Sequence, residues 1–175
     1  MKILSILTVF VIVLNCKPSS AIEEQAKASS QANICPENGE CSFKVFPNKS
    51  FVIKKDEFGL TYGELIESDH SLLQFEYIKN VPENTADGHY SELIYIELEP
   101  NVDVLNLQDE DLKAANVSFG RFCFCKGETG YYAITKGHLT LQKTSKNLFS
   151  LSLEFKTDEV PQIITQIHQE FELKK

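Results

Sequence analysis

The feature that most constrains this chain is a strict alternation late in its sequence, Leu148-Phe149-Ser150-Leu151-Ser152-Leu153-Glu154-Phe155. Period two puts Phe149, Leu151, Leu153 and Phe155 on one face of an extended strand, where a helix would scatter them around its axis. A strand with one apolar face must bury it against a second layer. The same pattern recurs upstream. Leu73-Gln74-Phe75-Glu76-Tyr77-Ile78 alternates, and Leu93-Ile94-Tyr95-Ile96-Glu97-Leu98 is an apolar-rich run of ordinary strand length. Residues 116–125, 131–135 and 138–142 read as further strands, separated by the glycine-bounded turns Lys126-Gly127-Glu128-Thr129-Gly130 and Lys136-Gly137. Residues 42–46 and 51–54 flank Pro47-Asn48-Lys49-Ser50, which predicts a hairpin, and the polar stretch 80–88 predicts a loop.

Two segments are ambiguous. Asp109-Glu110-Asp111-Leu112-Lys113-Ala114-Ala115 fits a single helical turn, since acids at its start suit the helix dipole. The tail 160–173 fits a helix through Val160, Ile163, Ile164, Ile167 and Phe171. It also fits a strand, and its β neighbours tip the balance that way, with a short C-terminal helix as the alternative. The expected fold is therefore all-β, a single-domain antiparallel β-sandwich or open barrel.

The first residues carry an address. Lys2 is followed by an apolar run from Ile3 to Leu14, broken only by Ser5 and Thr8, then by Asn15-Cys16-Lys17-Pro18-Ser19-Ser20-Ala21. A positive start, an apolar stretch of about 7–15 residues and small residues behind it make a signal peptide. The run falls short of the roughly 20 residues of a bilayer span. Val13-Leu14-Asn15-Cys16 resembles a bacterial lipobox, which makes Cys16 the acylated first residue of the mature chain. Asn15 departs from the small residue usual there. Cleavage at Ser19-x-Ala21 is the competing outcome and would release a secreted or periplasmic protein. The expected organisation is a signal peptide over 1–15, a lipid-anchored flexible tether over 16–33 and a β-rich domain over 34–175. The tether carries one large apolar side chain, Ile22, too little to offset its ordering entropy. Lys17 behind the lipidated Cys16 favours the outer membrane.

Of the 17 Lys and Arg residues only Lys2 precedes Cys16, and all 25 Asp and Glu residues follow it, so the mature chain is acidic. Such a surface repels phosphate and anionic headgroups, which argues against nucleic acid as a partner.

Four cysteines remain in the body, Cys35, Cys41, Cys123 and Cys125, and an even number in an exported domain predicts two disulfides. In a strand, Phe122-Cys123-Phe124-Cys125 puts both sulfurs on one face, too far apart for an easy mutual bond. Each then reaches one cysteine of the Cys35/Cys41 segment, the preferred arrangement. The alternative is two local bridges. Cys35-Pro36-Glu37-Asn38-Gly39-Glu40-Cys41 reads as a tight loop, and Cys123 and Cys125 are left as a reducible pair or as free thiols.

Catalytic signals are weak. His70, His89, His138 and His168 fall in four separate segments, without the close spacing of a zinc hydrolase. No Gly-x-Ser-x-Gly elbow occurs, and Ser91 near His89 and Asp87 makes no triad by adjacency alone. Cys-x-Cys is tighter than a zinc knuckle. No catalytic residue, metal ligand or cofactor is assigned. Tyr131 and Tyr132, beside a turn, are the candidate ligand-binding residues, because tyrosines offer broad apolar area at small entropy cost.

The body resembles uncharacterised small lipoproteins of the Bacteroidota. The resemblance rests on Asp87-Gly88-x-Tyr90-x-Glu92, Gly120-Arg121-Phe122-Cys123-Phe124-Cys125-Lys126-Gly127 and Val160-Pro161-Gln162. It implies an envelope address and brings no activity. The expectation is a non-catalytic envelope lipoprotein, membrane-bound through its lipid, that serves as a binding or structural module for a protein or glycan. The alternative is an envelope enzyme, either a hydrolase or a thiol-disulfide protein using Cys123 and Cys125.

Overall fold

The computed structural model describes residues 35–173. Cys16, the apolar run and the tether lie outside the described residues. The body is a β-sandwich of two antiparallel sheets. Its elements are β1 (Gly39–Lys55), β2 (Thr61–Lys79), β3 (Tyr90–Leu98), β4 (Val104–Gln108), a 3-10 helix (Asp109–Ala115), β5 (Ser118–Cys123), β6 (Gly130–Ala133), β7 (Gly137–Lys143), β8 (Leu148–Phe155) and β9 (Gln166–Glu172). One sheet has the order β1-β2-β3-β5-β6 and the other β4-β7-β8-β9.

Alternation builds the core between them. Leu73, Phe75 and Tyr77 of β2 and Ile94, Ile96 and Leu98 of β3 meet Leu139, Leu141, Leu151, Leu153, Phe155 and Ile167 across the sandwich. The alternating run 148–155 is β8, flanked on both sides by β7 and β9. The 3-10 helix caps the core with Leu112 and Ala115. The second half of the tail is strand rather than helix, and residues 160–165 are irregular. Residues 166–172 pair with β8, and Phe171 stacks on Phe149 at 5.9 Å, a register that helical geometry cannot supply.

The expected hairpin around Pro47-Asn48-Lys49-Ser50 does not form. Its two halves are one strand, β1, running antiparallel along the similarly long β2. Between Pro47↔Ser71 and Lys49↔Glu67, Asn48 faces three residues, Ser68, Asp69 and His70, so the ladder is irregular but unbroken. Asn48 takes a left-handed φ of 57°, which asparagine tolerates, and that bends the strand instead of reversing it.

Beyond this bend the outer halves of β1 and β2 form an arm that crosses the outer face of the first sheet. The Phe51 ring stacks on Tyr95 at 4.0 Å and meets Tyr131 edge-on at 4.8 Å. Phe51, Leu72 and Tyr95 make a second buried cluster, joined by Phe46, Ile53, Leu93 and Tyr131. Hydrogen bonds clamp the arm at Phe51. Its N–H donates to Glu97 Oε1 at 2.7 Å, and its carbonyl accepts from Asn116 Nδ2 at 2.7 Å. The Asn116 amide also donates to Glu97 Oε1 at 2.8 Å. Farther out, Tyr131 N–H donates to Thr61 Oγ1 at 2.9 Å, so the arm ends beside the turn between β5 and β6.

Both disulfides are local, Cys35–Cys41 and Cys123–Cys125, which corrects the preferred cross-linked arrangement. The reason is topological. Cys41 lies on β1 and Cys123 on β5, with β2 and β3 between them. At about 4.8 Å per strand that is roughly 14 Å, twice the Cα separation a disulfide allows.

Candidate functional site

Tyr90 and Glu92 of the first motif, Arg121 of the second and the residues just after Val160-Pro161-Gln162, far apart in sequence, meet at one end of the first sheet. On β3, Glu92 is in phase with Ile94, Ile96 and Leu98, so alternation turns its carboxylate into the sandwich, where it is 0% exposed. It is fully engaged there. Oε1 accepts from the Tyr90 hydroxyl at 2.5 Å and from the Ile163 N–H at 2.6 Å, and Oε2 accepts from the Ile164 N–H at 2.7 Å. The segment after Val160-Pro161-Gln162 is thereby pinned over the sandwich. Gln162 braces it from within, accepting from Thr157 N–H and donating to the carbonyls of Phe155 and Ile164.

Arg121 on β5 completes the network. Its Nε donates to the Tyr90 hydroxyl at 3.4 Å, its Nη1 reaches the Glu128 carboxylate at 2.9 Å, and its guanidinium lies 5.4 Å from the Tyr90 ring centroid. Burial, then the hydrogen bond to Glu92, pushes the Tyr90 hydroxyl up to about 12. Among the described residues no buried side-chain polar atom lacks a partner, so the network holds structure together.

Next to it, Cys123 is the last β5 residue paired to β3, opposite Tyr90. The chain bends at Phe124, the disulfide closes across it, and a turn follows in which Glu128 N–H donates to the Cys125 carbonyl. The bend throws Phe124 outward, 81% exposed.

Tyr131 and Tyr132 lie on β6, not on a loop, and consecutive strand residues face opposite ways. Tyr131 belongs to the cluster under the arm, with Phe122 at 5.1 Å, whereas Tyr132 packs against the main core. They share no face on which a ligand would stack. The histidines stay apart. His70 pairs with Ser68 and Asp69 at the bend, His89 lies 3.5 Å from Ser91 Oγ, His138 reaches Asn106 at 2.6 Å, and His168 sits on β9. Among the described residues no three His, Cys, Asp or Glu side chains gather to hold a metal ion. A shallow cleft of about 530 Å³ at the end of the second sheet is lined by Asp109, Lys136, His138, Glu154 and Lys156 among others. Both lysines there are paired with Asp158.

The feature missed in the sequence is the arm. Phe58, Leu60, Tyr62, Leu65 and Ile66 are all exposed, Phe58 to 81%. The tip is rigid. Asp56 Oδ1 accepts from the N–H groups of Phe58 at 2.9 Å and Leu60 at 2.8 Å, and Gly59 takes the left-handed φ of 82° that the turn requires. The signal was an apolar density in Phe58, Leu60, Tyr62, Leu65 and Ile66 that alternation does not bury. Among the described residues no helix is long and apolar enough to cross a membrane. Compared with protein-family models, with curated proteins and with solved structures, the chain matches none.

Proposed function

We propose that this chain is a lipid-anchored module of the cell envelope, held by Cys16, whose β-sandwich binds a protein partner along the β1–β2 arm. One observation carries the binding reading. Of ten exposed large hydrophobic residues among those described, five lie between Phe58 and Ile66 on the arm. Scattered exposed apolar residues need no explanation, but Phe58 and Leu60 at the ordered tip, followed by Tyr62 and Ile66 on one face of β2, concentrate apolar surface on one element, as a protein interface does. The tip is already ordered by Asp56, so docking costs little conformational entropy. The anchor rests on the apolar run and the cysteine that ends it.

A photo-crosslinking side chain at Phe58, in cells producing the full chain, tests the binding. The expected result is one discrete protein adduct, absent when the same group replaces Gln142 on the second sheet and lost with Leu60→Asp. Equal labelling from both positions would sink the reading. Metabolic acyl labelling of wild type against Cys16→Ser tests the anchor separately, and label retained by the variant would remove it.

A further inference from the structure

We propose that Cys123–Cys125 is a reversible disulfide that exchanges with a dithiol, a chemistry independent of whatever the arm binds. The two bridges differ in kind. Cys35 and Cys41 pack against the main core and close the start of β1. Cys123 and Cys125 join neither buried cluster and span a sequence separation of 2, so their bond removes little freedom from the unfolded chain. The strand they end is secured without it. β5 pairs with β3 from Tyr95↔Ser118 through Tyr90↔Cys123, and with β6 as far as Arg121↔Gly130. Thr129 Oγ1 donates to the Arg121 carbonyl at 3.1 Å, and Arg121 holds Glu128, so the turn is closed by polar contacts as well.

A disulfide that staples so little and lies at an exposed turn is placed for chemistry. Phe124 between the sulfurs points to solvent, and Lys126 directly after Cys125 is exposed, so its charge favours a thiolate there. A thiolate of the incoming dithiol attacks Sγ of Cys125, on the loop side of the last ladder pair. The Cys123–Cys125 bond breaks as the mixed disulfide forms, and Cys123 departs as a thiolate that takes up a proton. The second thiol of the partner then attacks its own sulfur in the mixed disulfide, releasing Cys125, which is protonated in turn. Two electrons and two protons pass to Cys123 and Cys125, and the partner leaves as a disulfide.

The test uses the mature chain with dithiothreitol as the probe, following each bridge by mass mapping of alkylated peptides beside circular dichroism. Cys123–Cys125 should open about tenfold or more faster than Cys35–Cys41, with the β signal unchanged, and should re-form on adding oxidised dithiothreitol. With Cys123→Ser, Cys125 should be captured as a mixed disulfide by an aromatic disulfide reagent. Both bridges opening together, or only as the β signal is lost, would overturn the proposal. A Cys123→Ser/Cys125→Ser double variant that no longer folds would overturn it too, by making the bridge a structural staple.

Discussion

At the scale of single residues, Glu92 is the side chain on which most depends. A carboxylate leaves water at a cost of several kcal/mol, recovered only when good donors meet it. Here Tyr90 and the N–H groups of Ile163 and Ile164 do so. Truncation leaves all three donors without an acceptor inside the sandwich. Glu92→Ala should therefore cost about 3 kcal/mol in denaturant unfolding. Glu92→Gln keeps the shape but turns an N–H toward a donor, and should fall between the two. A loss below about 0.5 kcal/mol for Glu92→Ala, the range of an ordinary surface substitution, would show that the 160s segment is held by something else. The burial was legible in principle. Glu92 shares its phase with Ile94, Ile96 and Leu98, and Arg121 shares its phase with Val117 and Phe119. Their meeting was not, because β3, β5 and the segment after β8 are brought together only by the pairing of the sheet.

At the scale of elements, the arm is an extension of two strands that stays down only through a few contacts. Asn116 closes the 3-10 helix with a left-handed φ of 43° and from there reaches the Phe51 carbonyl, so one residue ends one element and fastens another. Asn116→Ala should leave the sandwich intact and loosen the arm. Trypsin should then cut earlier at Lys54 and Lys55, while the β signal holds. Gly63→Val should act in the same direction, because a Cβ there lies 2.2 Å from the Phe51 ring. Unchanged cutting with Asn116→Ala, beside faster cutting with Gly63→Val, would mean that the aromatic cluster alone secures the arm. The run 148–155 could be read from sequence because both its faces are decided within the strand. β1 could not, because Pro47-Asn48 looks alike in a reversal and in a bend, and only the pairing with a similarly long β2 decides for the bend.

At the scale of the whole molecule, tyrosines set the alkaline limit. Burial raises the hydroxyls of Tyr77, Tyr95, Tyr131 and Tyr132, and burial with the Glu92 bond takes Tyr90 to about 12. These groups lie on β2, β3 and β6 and serve both apolar clusters, so their ionisation strikes the two sides of the first sheet together. An unfolded tyrosine ionises near pH 10. Below that value folded and unfolded chains are both protonated there, and the stability linked to these groups is fully present. Above it the unfolded chain loses protons first, so each further rise in pH favours unfolding, until Tyr90 itself ionises near 12 in the folded protein. Denaturant midpoints should thus be insensitive to the ionisation of these five tyrosines up to about pH 10 and fall steeply toward pH 12, with their phenolate absorbance appearing in step with loss of the β signal. Tyr95→Phe removes one of the raised hydroxyls and keeps the ring stacked on Phe51, so its midpoint should fall less steeply over the same interval. A phenolate transition with its midpoint near pH 10 and the β signal intact would show that the hydroxyls are open to water, and would detach the arm from the sheet it covers.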